Sequence, residues 1–120
     1  MWEWIAPLGI KTALEVGCGE PPHLTARMLG DHGIKSTTFD CQPCCDVQGD
    51  MHDLPFEDNS FDLVVSRHSL EHVLIPYLAV MEMRRVSRRY LLVVVPVDTS
   101  HKLAFWPDHL YNLSRMGWEV

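Results

Sequence analysis

The chain has 120 residues, of which 47% are hydrophobic and 22% charged, a composition typical of a globular domain. Its formal net charge of −6 argues against binding to a phosphate backbone, because such binding requires clustered lysine and arginine. The sequence has no apolar run of about 18 residues and no signal-peptide pattern at its start. We therefore expect a single domain over residues 1–120, in the cytoplasm, with no nucleic acid and no membrane as partner.

A short apolar segment near the start of the chain ends in a glycine-containing turn. Residues 12–16 are predicted to form a buried strand, which Gly17, Gly19 and a helix from about Pro22 to Leu29 follow. Open α/β sheets build nucleotide sites from such a strand, turn and helix. A dinucleotide fingerprint requires a third glycine at position 22, so Pro22 argues against a nicotinamide-binding domain. A tight turn without any ligand is the structural alternative.

An acid precedes this turn, in the order Glu15-Val16-Gly17-Cys18-Gly19. The pattern resembles motif I of the class I S-adenosylmethionine-dependent methyltransferases, although the third glycine that often stands at the position of Pro21 is missing. The resemblance implies S-adenosylmethionine as cofactor, with Glu15, Gly17, Cys18 and Gly19 beside its methionyl part.

A second strand is predicted from Ser36 to Phe39, and it closes on Asp40. An acid at this position is well placed to accept hydrogen bonds from both ribose hydroxyls; a turn or helix-cap aspartate is the alternative. Only residues 41–45 separate Asp40 from the next segment, which leaves no room for the usual family helix. We therefore expect a loop there and a short third strand.

The segment Gly49-Asp50-Met51-His52-Asp53-Leu54-Pro55-Phe56 resembles the family pattern G-D-x-x-x-L-P-F. The resemblance implies that Asp50 accepts a hydrogen bond from the adenine amino group and that Met51 packs on the ring. A carboxylate and a thioether suit these two tasks. The alternative makes Asp50 a turn residue and Met51 part of the core.

Residues 61–66 are predicted to form a fourth, fully buried parallel strand. The following S-x-H-x-L-E-H-V pattern, which ends at Val73, is similar to the type 11 methyltransferase group, and the resemblance extends from Ala13 to Val97. It implies that Ser66, Arg67 and His68 line the reacting end of the cofactor. His68 either acts as a general base or only shapes the site, whereas His72 is expected to be a buried helix residue.

The remaining segments complete the predicted sheet. A helix is expected over residues 75–87 and a fifth strand over residues 90–95, with a polar loop at 97–108, a helix at 108–116 and a sixth strand at 118–120. We expect Leu78, Met81 and Val86 to face inward and four arginines to complement the helix C-terminus: Arg84, Arg85, Arg88 and Arg89.

Three of the four cysteines fall within five residues, and Cys41-x-x-Cys44 has the spacing of half a zinc site or of a redox pair. No second such pair exists, and Cys45 directly follows Cys44. Reduced thiols without a metal are therefore favoured over a metal site or a disulfide.

These features predict an α/β fold: a three-layer, mostly parallel open sheet of strand order 3-2-1-4-5, Rossmann-like, and lacking the last strand of class I methyltransferases. The missing strand indicates either a minimal variant or a shortened chain, and an exposed sheet edge would favour a homodimer. The function expected is direct methyl transfer to an oxygen, nitrogen or carbon nucleophile of a small-molecule acceptor. A non-catalytic, cofactor-binding accessory subunit is the alternative.

Overall fold

The computed structural model describes residues 2–95, apart from the side chain of Trp4. The predicted loop at 97–108, helix at 108–116 and strand at 118–120 lie outside the described residues. None of the described helices is long and apolar enough to cross a membrane.

Within residues 2–95, five parallel strands form one sheet in the order β3-β2-β1-β4-β5, which confirms the predicted fold class and strand order. The strands are β1 (Thr12–Val16), β2 (Lys35–Asp40), β3 (Val47–Gln48), β4 (Phe61–Arg67) and β5 (Ser87–Val94). The helices are α1 (Trp2–Ile5), α2 (Leu24–Asp31) and α3 (Pro76–Val86), with single 3-10 turns at Ala6–Leu8 and Leu70–His72.

The strands β1 and β4 pair with each other inside the sheet, and four consecutive residues of β1 and five of β4 are buried, which places them on both faces. Leu14 and Val64 face a core completed by α3, whereas Ala13 and Leu63 face a second core completed by α1 and α2. The sheet therefore has helices on both faces, as the three-layer prediction requires.

The connection between β2 and β3 has only six residues, 41–46, and contains no helix, as predicted. Thr38 and Asp46 close it reciprocally: Thr38 N–H donates to Asp46 Oδ2 at 2.9 Å, and Asp46 N–H donates to Thr38 Oγ1 at 2.9 Å. These bonds hold the end of the loop beside β2, so that β3 pairs with β2 in parallel after a short connection.

Helix α2 begins at Leu24, so the predicted start at Pro22 is wrong. The inward face predicted for α3 is also partly wrong: Leu78 and Met81 are exposed, whereas Ala79 and Met83 are fully buried. Helix α3 carries apolar residues on two sides, and the sheet covers only the side that contains Ala79.

Arg88 and Arg89 lie on β5 and not at the end of α3, which corrects the predicted helix-terminal cluster. The strand begins early because Ser87 pairs with Phe61 and because Arg88 forms an ion pair with the buried Asp62. Arg89 instead lies over the ring of Tyr90, with 5.0 Å between its guanidinium carbon and the ring centroid.

Candidate functional site

Three adjoining cavities lie along the carboxyl edge of the sheet, where the loops after β1, β2, β3 and β4 meet. The first, about 260 Å³, shares Gly17 and His68 with the second, about 340 Å³. The second shares Met51 and Val73 with the third, about 250 Å³. Nine of the ten predicted site residues line this groove: Glu15, Gly17, Cys18, Gly19, Asp40, Asp50, Met51, Arg67 and His68.

The turn after β1 depends on Gly17, which has a φ of +78°. Gly17 N–H donates to Phe39 O at 2.8 Å, and Ser69 Oγ donates to Gly17 O at 2.9 Å. A Cβ on Gly17 would lie 2.2 Å from Ser69 Oγ. Glycine is therefore required twice, by the left-handed backbone and by the close approach of the loop after β4.

Asp40 ends β2 and lines the second cavity. Its Oδ2 accepts the N–H of Gly19 at 2.8 Å and its Oδ1 accepts the N–H of Gln42 at 3.0 Å. Burial opposes ionisation, but these N–H donors outweigh it and lower the pKa of Asp40. The side chain is thus an ionised carboxylate, oriented by the backbone, beside an open cavity.

Glu15 lies within β1, is nearly buried, and lines the first cavity. Its Oε2 accepts the N–H of Ala26 in the first turn of α2 at 3.1 Å. Burial raises the pKa of Glu15, although the Ala26 N–H and the positive charges available on His23 and Arg67 partly oppose this. Glu15 therefore connects the end of β1 to the start of α2.

Cys18 lies between the two turn glycines, and the four cysteines of the chain have free thiols. Burial raises the pKa of Cys18 to about 12, and the nearby carboxylates of Asp40 and Glu15 act in the same direction. A thiol with this pKa stays protonated near neutral pH, so Cys18 is suited to packing and not to nucleophilic attack.

The third cavity lies beside the loop that follows β3. Asp50 is exposed there, and its Oδ1 accepts the backbone N–H of His52 at 2.9 Å and lies 2.6 Å from His52 Nδ1. These hydrogen bonds lower the pKa of Asp50. Met51 lies next to it and reaches both the second and the third cavity.

The end of β4 supplies the opposite side of the groove. His68 has a φ of +53°, an uncommon conformation for a non-glycine residue, and its N–H donates to Val94 O at 2.8 Å. Such local strain concentrates at functional sites. His72 is exposed and lines the second and third cavities, so its predicted burial is wrong.

Ser66 is the one predicted site residue that lines none of the three cavities. It is almost completely buried within β4, and its Oγ has no hydrogen-bond partner among residues 2–95. A buried hydroxyl without a partner is a polar group that the packing alone does not explain.

A brace from α3 to the loop after β3 was not predicted from the sequence. Arg85 donates to Leu54 O at 2.9 Å, to Phe56 O at 2.8 Å and to Asp58 Oδ1 at 2.9 Å. It also pairs with Glu82, whose Oε1 accepts the N–H of Leu54 at 3.0 Å. The i, i+3 spacing of Glu82 and Arg85 was the available signal, but their loop partners lie about thirty residues away.

The chain is similar to known proteins over most of its length. Residues 14–95 match the family model described as a methyltransferase domain. A mitochondrial mouse protein named arginine-hydroxylase NDUFAF5 is 30% identical, covering 84% of this chain and 31% of the relative. A tRNA U34 carboxymethyltransferase from Shewanella frigidimarina is 28% identical, covering 99% of this chain and 44% of the relative. The chain thus spans less than half the length of these curated relatives.

Solved structures share the fold. A Bacillus halodurans protein assigned as a methyltransferase superposes with a TM-score of 0.75 at 20% identity, covering 92% of this chain and 61% of that one. A SAM-dependent methyltransferase from Aquifex aeolicus gives a TM-score of 0.60 at 20% identity, covering 83% and 66%. A Haloferax volcanii complex of the methyltransferase activator Trm112 with its assigned methyltransferase gives 0.56 at 24% identity, covering 72% and 48%.

These matches confirm S-adenosylmethionine as the cofactor, and they correct the expected partners. The restriction to a small-molecule acceptor, with no nucleic acid, was wrong as an exclusion, since one relative is named for tRNA and one similar structure is a complex with an activator protein. The argument from net charge failed because recognition depends on local patches and not on the total charge of a chain.

Proposed function

Since the chain belongs to the methyltransferase domain family, type 11 group, we propose that it transfers a methyl group from S-adenosylmethionine directly to an oxygen, nitrogen or carbon nucleophile. The cofactor lies along the three cavities, with its adenine in the third, its ribose in the second and its methionyl part in the first. The acceptor approaches at Arg67 and His68, which line the first cavity.

Asp40 is the observation that carries this proposal. Each of its carboxylate oxygens already accepts one backbone N–H, and each keeps a further lone pair for a ligand. Two adjacent hydroxyl groups, as on a ribose, match two carboxylate oxygens. Charge-assisted hydrogen bonds of this kind are about twice as strong as neutral ones. The two carboxylate oxygens are therefore acceptors that fit the hydroxyl groups of the cofactor's sugar.

The ends of the groove fit the other parts of the cofactor. Gly19 has a φ of +69° and open space where a Cβ would stand, so the backbone permits close approach by a ligand. Asp50 offers its Oδ2 to the adenine amino group, and Met51 offers a thioether to the face of the ring. Glu15, Gly17 and Cys18 surround the methionyl part, and Ser66 supports it from within β4.

The bound cofactor supplies an activated methyl group, so the main task of the protein is to align the acceptor with it. His68 lies where the first and second cavities meet, within reach of both the ribose end and the acceptor end. We propose that it either removes a proton from the acceptor or fixes the shape of the site. Substitution by Ala and by Gln, with rates measured against pH, separates these roles, because only a base gives an acid limb that the variants lose.

Isothermal titration calorimetry with S-adenosylmethionine tests the proposal, and Asp40→Ala serves as the matched variant. We expect the wild-type chain to bind and the variant to bind at least about 100-fold more weakly, because two charge-assisted hydrogen bonds are lost. A methyl-transfer screen with protein, RNA and small-molecule acceptors follows. Binding without turnover on any acceptor would favour the accessory role, and tight binding of NAD instead would contradict the proposal.

A further inference from the structure

His52 bridges two walls of the third cavity. Its ring Nδ1 lies 2.6 Å from Asp50 Oδ1, in the loop after β3. Its ring Nε2 lies 3.0 Å from the backbone N–H of Ile75, in the segment that leads into α3. Val73 and Leu74 of that segment line the same cavity as Asp50 and His52. One imidazole therefore joins the two sides between which the cavity opens.

The two contacts define the protonation of the ring. The backbone N–H of Ile75 can only donate, so Nε2 must be an unprotonated acceptor. Nδ1 then carries the proton of the neutral ring and donates it to Asp50 Oδ1. The assignment of this tautomer follows from the hydrogen-bond partners. The bridge thus exists in full only with a neutral His52.

The same contacts orient the Asp50 carboxylate. Oδ1 is occupied by two donors from His52, its backbone N–H and Nδ1. An ionised carboxylate accepts on both oxygens, so Oδ2 keeps its acceptor capacity for a ligand. Because Asp50 is largely exposed, only the backbone N–H of His52 would otherwise restrain its rotamer, and the ring adds a second restraint before a ligand arrives.

We propose that His52 is a positioning residue that preorganises the adenine end of the cofactor site by fixing Asp50 and by tying the Ile75 segment to it. This inference rests on the proposed function, because it assigns the third cavity to adenine. His52 acts through Asp50 and through the cavity wall, and takes no part in methyl transfer.

Acidification breaks this arrangement in two ways. A proton added to Nε2 removes the acceptor of the Ile75 N–H, and the cationic ring neutralises the Asp50 carboxylate and weakens it as an acceptor. The other titratable groups that line this cavity are Cys41 and His72. Cofactor affinity should therefore be lower at pH 6 than at pH 8, and the difference should depend on His52.

Two substitutions separate the halves of the bridge. In His52→Asn the side-chain amide takes the place of Nδ1 and keeps the bond to Asp50, but it does not reach Ile75. In His52→Gln the amide reaches toward Ile75 through its oxygen and loses the geometry of the Asp50 contact. Neither side chain titrates, so both variants lack the proton-dependent step. His32→Asn is the matched control, because His32 stacks on Trp2, with 3.7 Å between ring centroids, and lines none of the three cavities.

The experiment measures the dissociation constant of the 120-residue chain for S-adenosylmethionine by calorimetry at pH 8 and pH 6. We expect wild type and His32→Asn to bind about three- to tenfold more weakly at pH 6, as for the loss of one or two hydrogen bonds. Both His52 variants should bind about three- to tenfold more weakly than wild type at pH 8 and should show no further loss at pH 6.

Three results would contradict the inference. A wild-type affinity that is equal at both pH values overturns it even if the His52 variants fail to fold. A folded His52→Asn variant that keeps the wild-type affinity and pH dependence also overturns it, while leaving the proposed function intact. Failure of wild type to bind S-adenosylmethionine at pH 8 overturns the proposed function, and this role with it.

Discussion

Two aspartates lie at opposite ends of the parallel strands, and each accepts hydrogen bonds from two backbone N–H groups. Asp40, at the end of β2, accepts backbone N–H groups from Gly19 and Gln42. Asp62, near the start of β4, accepts the backbone N–H groups of Lys11 and Thr12 at 2.9 and 3.3 Å. Backbone hydrogen bonds help to lower the pKa of both carboxyls, so each is held in its ionised form.

The difference lies in what completes each carboxylate. Arg88 donates to Asp62 Oδ1 and closes that edge of the sheet within the chain itself. Among residues 2–95, no lysine or arginine forms an ion pair with Asp40, which instead lines a cavity. The closed aspartate connects β4 to β1 and β5, whereas the open one is left for a ligand. The comparison thus separates a carboxylate used for stability from one that we propose is used for binding.

Replacement of Asp40 tests the open member of the pair and has the largest expected effect. Asp40→Ala removes the two charge-assisted hydrogen bonds that we propose to the ribose, each worth about 1.5–3 kcal/mol, so affinity for S-adenosylmethionine should fall at least about 100-fold. The affinity of Asp40→Asn for S-adenosylmethionine should lie between that of wild type and that of Asp40→Ala. Wild-type affinity in Asp40→Ala, measured by calorimetry, would mean that the ribose lies elsewhere.

The glycine turn beside Asp40 gives the next largest effect. Gly17→Ala places a methyl group at a left-handed φ, costing about 1–2 kcal/mol, and forces Ser69 away from Gly17 O. We expect a loss of about 2–3 kcal/mol in the free energy of unfolding, measured by urea denaturation, with weaker cofactor binding. Gly9→Ala is the control: Gly9 also has positive φ, but nothing lies within 4 Å of its Cβ position. Equal losses in the two variants would show that backbone strain alone is responsible.

Replacement of Asp62 tests the closed member. Asp62→Ala leaves the N–H groups of Lys11 and Thr12 and the guanidinium of Arg88 without their acceptor, and should destabilise the fold by about 2 kcal/mol. The dissociation constant for S-adenosylmethionine should stay within about twofold of wild type while the protein is folded. The comparison fails if Asp62→Ala binds the cofactor as weakly as Asp40→Ala does.

The dependence of stability on pH is the smallest effect. Both aspartates have a pKa that is lower in the folded state than in the unfolded state, so the unfolded chain binds more protons on acidification. Their contribution is present above the ordinary aspartate pKa and decreases as the pH falls through about 4 and below. In thermal melts from pH 6 to 3, the melting temperature of Asp40→Asn and of Asp62→Asn should decrease less steeply than that of wild type. A decrease as steep as in wild type would exclude these two groups as its cause.

Much of the fold could be predicted because its signals are local. The glycine turn directly follows the apolar residues of β1, and the acid is the last residue of its own strand, β2. Together they indicate a parallel sheet and the edge at which we propose that a ligand binds. The spacing of Asp50 and Met51 after β3 is likewise readable from the sequence alone.

The errors arose where packing decides. Helix α3 has apolar residues on two sides, and only contact with β4 and β5 selects Ala79 and Met83 over Leu78 and Met81. Arg88 resembles a helix-terminal cation until Asp62, twenty-six positions away, is placed beside it. The Ser69–Gly17 contact and the bridge from His52 to Ile75 also join positions far apart in the sequence, so no local pattern predicts them.

The hydrogen bond from Ser69 to Gly17 spans 52 positions of the sequence, and β1 pairs directly with β4. Contacts of such high sequence separation form late, because the entropy of closing the intervening loop must be overcome first. The loops after β1, β2 and β3 form one wall of the groove, and the loop after β4 supplies the other. A ligand that occupies this groove therefore selects the completed fold and should slow its unfolding, while an intermediate lacking β4 gains nothing from it.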